Sequence, residues 1–475
     1  MTIKDESKLK EKLLLEKKNV WEVIDEKERQ DLFNLNEDYK CFLDNAKTER
    51  KANDEIIKRA KEKGFVSLEE LLAKKERLVP GSKVYVTNKD KGAALFVIGK
   101  EDISKGMHII GSHIDSPRLD LKQLPLYENE KMAYFKTHYY GGLKKYQWVS
   151  MPLALHGVVF KGNGEKVEIE IGEDSNDPVL YITDLLPHLA KEQMEKKLSE
   201  GITGEGLNVI VGSIPYKNKD IDDRIKFNIL NILYEKYNIT EEDFTSAEIE
   251  IVPAGKSRDL GIDRSMIMSY GHDDRVCAFT SLSAILDIDE TEKTAVSLFV
   301  DKEEIGSVGN TGMTSAFFEN AVMDIVYLLE GESNLTVVKK ALANSKALSA
   351  DVAAGFDPNY PDVYEKMNTA CIGEGIAIVK YTGSRGKGGC NDANPEFINY
   401  VRNIFNDNNV VWQTGELGKV DQGGGGTIAY ILARHGMEVL DCGVAMLSMH
   451  APYEVVSKAD VYMAYRGYKA FYEVN

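Results

Sequence analysis

The sequence predicts an α/β fold that is interrupted by a β-rich insertion. Helical patterns and short apolar strands fill the chain before about residue 118 and again after about residue 262. Several strands end abruptly in polar residues, as buried strands of a layered sheet do, and the clearest example is 295–301. Between these two parts, alternating strand patterns are joined by turn sequences such as Lys161-Gly162-Asn163-Gly164.

The length of the chain favours two domains. A chain of 475 residues is too long for one typical hydrophobic core. We predict a discontinuous domain formed by residues 1–118 and 262–475, and an inserted β-rich domain formed by residues 119–261. The insertion is a candidate for an oligomer interface.

Composition and charge disfavour some partners and indicate where the protein acts. The chain has 76 acidic and 59 basic residues and a net charge of −17, which disfavours nucleic acid and anionic membranes. It shows no apolar leader and no 18-residue apolar run, so we expect no signal peptide and no membrane span. Five scattered cysteines without CxxC spacing suit the cytoplasm.

The individual elements follow from local patterns. The first 77 residues predict amphipathic helices, and Ser67-Leu68-Glu69-Glu70 has the form of a capping box. Tyr139-Tyr140-Gly141-Gly142 predicts only a turn with packed side chains. The predicted strands are 83–87, 93–98, 107–111, 132–137, 153–160, 166–171, 295–301, 325–329 and 439–442. The predicted helices are 185–198, 225–237, 276–286, 336–342, 427–434 and 458–472.

Two adjacent carboxylates, Glu303 and Glu304, follow the strand that ends at Asp301. In open α/β sheets, active sites form at the carboxyl ends of the strands. One of two adjacent acids can bind a metal while the other handles the proton of a water. The alternative is a solvated acidic turn.

A histidine and an aspartate follow another predicted strand. His113 and Asp115 lie two residues apart, so their side chains share one face of an extended segment. Such a histidine can be a metal ligand that the nearby acid orients. A purely structural histidine is the alternative.

Ligand-type residues recur at five strand ends or turns. They comprise two imidazoles and three carboxylates, a mixture that suits zinc, cobalt or manganese. The five are His113, Asp273, Glu304, Asp351 and His450. From these residues alone, a metal site and a set of unrelated polar turns both remain open.

Five longer strings carry a family resemblance. GSHIDSPRLDLK, GHDDR, DKEEIGSVG, SADVAAGFDPNY and SMHAPYE occur in this order, and the resemblance spans roughly residues 80–470. Together they resemble the aspartyl aminopeptidase / aminopeptidase I family of cocatalytic zinc exopeptidases. The resemblance implies a metal-dependent aminopeptidase that acts on peptides with a free N-terminus.

The resemblance also implies a metal centre with two divalent ions per subunit, zinc first, with cobalt or manganese as alternatives. The implied ligands are His113, Asp273 and Asp351 for one ion, and Asp273, Glu304 and His450 for the other. A water between the ions would attack the peptide bond. Asp115 would orient His113, and Glu303 would be the general base.

The implied fold is a mostly doubly wound mixed-sheet catalytic domain with an inserted β-rich dimerisation domain. The implied assembly is a homo-oligomer, a dodecamer built from dimers, in the cytoplasm. His188 is then a candidate for reaching the active site of a neighbouring subunit. A surface histidine on an amphipathic helix is the alternative.

Some residues depart from aspartyl-preferring relatives. Those relatives carry histidines within the SAD…PNY string, where this chain has Ala354 or Gly355 and Asp357, and they read LDN where this chain reads HDD. The chain therefore resembles the bacterial aminopeptidase I-like branch, and its preference between acidic and neutral N-terminal residues stays open.

Two further segments are candidates for substrate binding. Lys387 could meet a substrate carboxylate, although a solvated loop is the alternative. The backbone around Gly424, in the run Gly423–Gly426, could present N–H groups to substrate at a helix N-terminus.

Two other functions use the same residues. A metal-dependent deacylase or carboxypeptidase could employ the same ligands. A catalytically silent shell or cargo-binding subunit would have no need of them all.

Overall fold

The computed structural model describes residues 9–10, 12–384 and 388–474. We number the helices and strands of this part in chain order. The helices are α1 (Val20–Val23), α2 (Glu26–Asn45), α3 (Glu49–Glu62), α4 (Leu68–Lys74), α5 (Lys191–Met194), α6 (Leu198–Gly201), α7 (Arg224–Tyr237), α8 (His272–Leu286), α9 (Phe317–Glu330), α10 (Leu335–Ala343), α11 (Pro395–Asp407), α12 (Ala429–Ala433) and α13 (Lys458–Glu473).

The strands form a nine-stranded sheet, a seven-stranded sheet and two smaller ones. They are β1 (Val66–Ser67), β2 (Lys83–Thr87), β3 (Ala93–Val97), β4 (His108–His113), β5 (Arg118–Asn129), β6 (Met132–Tyr140), β7 (Pro152–Phe160), β8 (Lys166–Ile171), β9 (Leu180–Tyr181), β10 (Val209–Gly212), β11 (Ala247–Pro253), β12 (Arg258–Leu260), β13 (Met266–Ser269), β14 (Ala295–Val300), β15 (Lys346–Ser349), β16 (Ala353–Ala354), β17 (Ile376–Val379), β18 (Tyr381–Ser384), β19 (Gly388–Asp392), β20 (Trp412–Thr414), β21 (Glu438–Gly443), β22 (Ala445–Leu447) and β23 (Glu454–Ser457).

The nine-stranded sheet is mixed, with the order β1-β2-β3-β14-β4-β15-β21-β17-β20. Its four central strands, β14, β4, β15 and β21, run parallel. Neighbouring residues of one strand point to opposite faces, so Ile109 and Ile110 enter different hydrophobic cores. Helices α2, α3, α8, α11 and α13 cover one face, and α4, α9, α10 and α12 cover the other. The predicted doubly wound mixed sheet is confirmed.

The seven-stranded sheet closes on itself. Its order is β11-β5-β6-β10-β9-β7-β8, and β11 also pairs with β7. Six strands therefore form a ring around a core that contains the buried Trp148, while β8 lies outside the ring on β7. Closure gives each of the six ring strands a partner on both sides, although β5 pairs with β11 only at Leu119 and Asp120. We call this unit the barrel.

The two smaller sheets lie near the carboxyl ends of the central strands. Strands β12, β13, β23, β22 and β16 form one, and β18 pairs with β19 in the other. The loop between β22 and β23 carries His450. None of the helices in the described ranges combines the length and the apolar character that crossing a bilayer requires.

Three local predictions are wrong. The predicted strand 325–329 belongs to α9, where Val322, Ile325 and Val326 recur at helical spacing and face the core. The predicted helix 185–198 is broken into a short 3₁₀ turn and α5, with α6 starting at its end. Ser67 stands at the N-cap of α4 as predicted, but its side chain makes no capping hydrogen bond.

Candidate metal centre

Three adjacent parallel strands deliver polar residues to one edge of the main sheet. In register, Val300 of β14 pairs with His113 of β4, and Ser349 of β15 pairs with Gly111 of β4. His113 ends its strand, Glu303 and Glu304 follow β14, and Asp351 follows β15. The carboxyl ends of parallel strands lie side by side, so these side chains converge.

Asp273 lies between the two predicted histidine ligands. It stands at the start of α8, and its side chain is buried. Its Oδ1 is 3.2 Å from Nε2 of His113, and its Oδ2 is 3.3 Å from Nε2 of His450. One carboxylate therefore faces two imidazoles through separate oxygens.

The remaining carboxylates complete two half-sites. Asp351 Oδ1 is 3.8 Å from His113 Nε2, and Glu304 Oε2 is 3.4 Å from His450 Nε2. Glu303 Oε2 is 3.9 Å from His113 Nε2. The structure thus brings together the five predicted ligands and the predicted base.

Asp115 organises the residues around the first half-site. The Nδ1 atom of His113 lies 3.0 Å from the Asp115 carbonyl oxygen and 3.3 Å from Oδ1. The backbone N–H groups of Glu303 and Glu304 donate to Oδ1 and Oδ2 of Asp115 at 3.1 and 3.2 Å. Because Nδ1 donates, Nε2 of His113 is free to bind a metal.

Several residues of the site were not predicted. Tyr140 donates its hydroxyl to Asp115 Oδ2 at 2.8 Å, and His450 Nδ1 donates to the Gly142 carbonyl at 2.7 Å. The Glu454 carboxylate accepts the backbone N–H groups of Asp273 and His450 at 3.0 and 2.7 Å.

Asp274 is another residue that sequence reasoning missed. It is buried close to His113 and Asp351. One carboxylate oxygen of Asp274, one of Asp351 and an imidazole nitrogen of His113 lie within 4.8 Å of one another. Its Oδ2 accepts the backbone N–H of His113 at 3.3 Å. Asp274 lies in the HDD string and Glu454 in the SMHAPYE string, so the family motifs could have indicated both residues. The sequence of the Tyr140–Gly142 segment indicated only an ordinary turn.

Burial and crowding shift the acids and bases of the site. Burial raises the pKa of Glu303 to about 7, against the opposing effect of the nearby His113. Burial would lower the pKa of His450, but Asp273 and Glu304 outweigh it and raise the pKa to about 11. The carboxylates thus make the cluster a strong attractor of cations.

The cluster fits two divalent ions by chemistry and charge. Imidazole nitrogens and carboxylate oxygens are the donors that zinc takes in catalytic sites. Glu304 Oε1 is buried and has no hydrogen-bond partner among the described residues. The acids Asp273, Glu304, Asp351 and Glu303, with the buried Asp115 and Asp274 beside them, give the cluster an excess of negative charge that two divalent cations would offset.

Comparison with known proteins decides the family. The chain matches the family described as Aminopeptidase I zinc metalloprotease (M18) over residues 42–472. It belongs to this family.

The M18 chain also has close bacterial relatives. A probable M18 family aminopeptidase 1 of Clostridium acetobutylicum is 57% identical over 459 residues, covering 97% of this chain and 98% of the relative. The crystal structure of an M18 family aminopeptidase from Thermotoga maritima superposes with a TM-score of 0.92 at 45% identity, over 97% of this chain and 100% of that one. The resemblance to the bacterial aminopeptidase I branch is confirmed, and the chain is a metalloaminopeptidase.

A more distant structure shares the fold. The mApe1 dodecamer of S. cerevisiae superposes with a TM-score of 0.73 at 20% identity, covering 92% of the M18 chain and 95% of the yeast chain. At this identity the likeness shows the fold alone.

A cavity of about 1330 Å³ opens onto the candidate ligands of the M18 chain. Asp273, Glu303, Glu304, Asp351 and His450 line its floor. Its walls include Tyr360, Val363, Leu417 and the Gly423–Gly426 run. The cavity is large enough to hold several residues of a peptide.

The three predicted substrate-binding residues differ in their position relative to the cavity. Gly424 lines the cavity, but α12 begins only at Ala429, so the expected helix N-terminus at Gly424 is wrong. His188 is exposed and does not line the cavity of its own chain. Lys387 lies outside the described residues.

Proposed function

We propose that this M18 metalloaminopeptidase releases the N-terminal residue of peptides with two divalent metal ions, zinc before cobalt or manganese. The observation that carries the proposal is the position of Asp273, whose two oxygens face His113 and His450 at 3.2 and 3.3 Å. Asp351 then completes the ligand set of one ion, and Glu304 completes the other.

The protein supplies the scaffold and the proton transfer for this reaction. Two such ions, when bound, would polarise the scissile carbonyl and lower the pKa of the attacking water. Glu303 lines the cavity beside the ligands, and its backbone N–H is fixed on Asp115 at 3.1 Å. We propose that its carboxylate takes the proton of the attacking water and gives it to the leaving amine.

The charge of the cavity supports a substrate with a free N-terminus. Apart from the candidate ligands and Glu303, the cavity is lined by four acids and two lysines, namely Asp357, Glu416, Asp421, Asp441, Lys144 and Lys419, so acidic side chains outnumber basic ones. An ammonium group is attracted to such a surface, and a substrate carboxylate is repelled. This favours an aminopeptidase over a carboxypeptidase.

We further propose a homo-oligomer, a dodecamer built from dimers, in the cytoplasm. The yeast mApe1 dodecamer has the same fold. Exposed apolar side chains surround His188, among them Leu189, Met194 and Leu198, with 67, 78 and 65% of their surface accessible. We propose that residues 119–261 form the dimerisation domain, that they bury this surface, and that His188 reaches the neighbouring active site.

The cysteines support the proposed cytoplasmic location. All five are free thiols, which suits a reducing compartment.

The decisive experiment uses metal-stripped protein reloaded separately with zinc, cobalt and manganese. Wild type, Glu303→Gln and the control Glu332→Gln, which changes an exposed glutamate, are assayed on free-amine and N-acetylated aminoacyl substrates and on a short peptide whose released residues are identified. We expect Glu303→Gln to lower kcat by about 10²–10⁴-fold, the usual contribution of a positioned base, while two zinc ions remain bound. Glu332→Gln should match wild type.

Each contrary outcome points to a specific alternative. Cleavage of N-acetylated substrates would indicate a deacylase, and release of C-terminal residues would indicate a carboxypeptidase. Full zinc occupancy without turnover would indicate a silent shell or cargo-binding subunit. Sedimentation at a mass other than twelve times the 53.1 kDa of one chain would refute the dodecamer.

A further inference from the structure

We propose that the barrel segment Tyr140–Gly142 is a positioning element that orients both metal-binding imidazoles. The inference deepens the proposed function, since it rests on the two-metal centre proposed above. It assigns the barrel a role in metal binding in addition to any role in assembly.

Three consecutive residues of this segment touch three different parts of the site. Tyr140 donates its hydroxyl to Asp115, which holds His113. Gly141 lies against Glu304, since a Cβ at this glycine would stand 3.3 Å from Cβ and 3.4 Å from Oε2 of Glu304.

Gly142 makes the third contact. Its carbonyl accepts the Nδ1–H of His450 at 2.7 Å. A carbonyl oxygen can only accept, so Nδ1 must carry a proton, and Nε2, which faces Asp273 and Glu304, is the nitrogen that a metal ion would bind. Tyr140 acts on the orientation of the other imidazole, because it holds the Asp115 carboxylate that lies beside Nδ1 of His113.

A cation–π contact with Arg118 holds the Tyr140 ring in place. The Arg118 guanidinium lies over the ring, with its central carbon 3.9 Å from the ring centroid. Arg118 is buried and pairs with Asp120 at 2.8 Å, Glu250 at 3.2 Å and Glu49 at 3.4 Å. A cation held this close to an aromatic face favours one ring position.

The hydroxyl of Tyr140 acts as a hydrogen-bond donor in this arrangement. Burial and the neighbouring Asp115 carboxylate raise the pKa of Tyr140, so the hydroxyl keeps its proton and donates. Residues that hold a metal ligand from outside typically change metal affinity by about 10–100-fold when they are removed.

The first test is Tyr140→Phe, with Tyr139→Phe as the matched control. Phenylalanine keeps the ring beneath Arg118, so the fold is retained, but it removes the hydrogen bond to Asp115. Tyr139 is the preceding residue, is 48% exposed and does not line the cavity. Zinc dissociation constants come from competition with a chromophoric chelator, and the visible spectrum of the cobalt-loaded protein reports ligand geometry.

We expect Tyr140→Phe to weaken zinc binding at one of the two sites by about 10–100-fold and to change the cobalt spectrum. Tyr139→Phe should reproduce wild type in both measurements. Thermal unfolding of the metal-free proteins checks that the three folds are equally stable.

The second test is Gly142→Ala, with Gly162→Ala as the matched control. A Cβ at Gly142 would stand 3.3 Å from Nδ1 of His450, whereas a Cβ at Gly162 meets nothing within 4 Å. We expect Gly142→Ala to displace the imidazole, weaken the other zinc site and alter the cobalt spectrum. Gly162→Ala should behave like wild type.

The outcomes separate this inference from the function on which it rests. If wild type binds two zinc ions and Tyr140→Phe and Gly142→Ala bind them equally well with unchanged cobalt spectra, the inference is overturned and the proposed function stands. If wild type fails to bind two ions, the proposed metal centre is overturned and the inference with it. Weakened binding in both variants, with both controls normal, supports the inference.

Discussion

Replacing Asp115 by asparagine tests how the metal centre is held. The two oxygens of Asp115 face four donors: His113 Nδ1 and the Glu303 N–H at Oδ1, and the Tyr140 hydroxyl and the Glu304 N–H at Oδ2. Asparagine offers only one oxygen, so its amide nitrogen must face one of these pairs.

The structure indicates which pair loses its acceptor. A nitrogen at the Oδ1 position would face two N–H donors, whereas at the Oδ2 position the Tyr140 hydroxyl can rotate and accept. The partly buried Glu304 N–H is then the single donor without a partner, which costs at most about 1–3 kcal/mol. Because this N–H fixes the turn that carries Glu304, we expect zinc affinity to fall by about 10–100-fold.

The assay is chelator competition on Asp115→Asn, with the exposed Asp222→Asn as control. A double-mutant cycle with Tyr140→Phe measures the coupling between the two residues. We expect the effect of Tyr140→Phe to shrink in the Asp115→Asn background, because the tyrosine acts through Asp115. Unchanged zinc affinity in Asp115→Asn, or strictly additive effects in the cycle, would refute this reasoning.

Three other predictions concern stability. Phe299→Ala removes a fully buried ring and should cost about 3–5 kcal/mol in urea unfolding, whereas the exposed Val179→Ala should change little; equal effects would contradict the assigned core. Burial, with Lys346 and Lys293 nearby, lowers the pKa of His108 to about 3, below its usual value of 6.5 in the unfolded chain. The unfolded state therefore binds the extra proton, and the free energy of unfolding should fall by about 1.4 kcal/mol per pH unit as the pH drops below 6.5. His108→Gln should reduce this slope. An unchanged slope in His108→Gln would count against a neutral buried histidine. Removing zinc should lower the unfolding midpoint, because zinc at 100 times its Kd stabilises by about 2.7 kcal/mol per site, and an unmoved midpoint would argue against tight binding.

Residues that follow strands were predictable because the signal is local. An apolar run that ends in His113 or precedes Glu303 and Asp351 is visible in a short window of sequence, and parallel pairing then brings the strand ends together. Asp273 and His450 lie on a helix start and a loop. The sequence alone marked them as ligand-type residues at turns, and the family resemblance then assigned them to one metal centre.

The residues that were missed act over long separations or against local preference. Tyr140 and Gly142 reach the site from the barrel, and nothing in a Tyr-Tyr-Gly-Gly turn indicates which backbone oxygen will meet a histidine 308 residues away. The 325–329 run is apolar enough for a strand, but it is one stripe of the longer helix α9. Ser67 marked the start of α4 correctly, but the sequence did not indicate that its side chain would make no capping hydrogen bond.

The closure of the barrel has a consequence for protein engineering. The chain enters the barrel in β5 and leaves it in β11, and these strands pair with each other, with Leu119 opposite Ile251. Paired residues in neighbouring antiparallel strands lie only about 5 Å apart, so the two junctions are adjacent in space. The barrel is thus suited to exchange between relatives as a cassette with two short splices. A functional chimera should require a donor that keeps the tyrosine and the two glycines of 140–142, and a donor without them should yield a folded enzyme with weakened zinc binding.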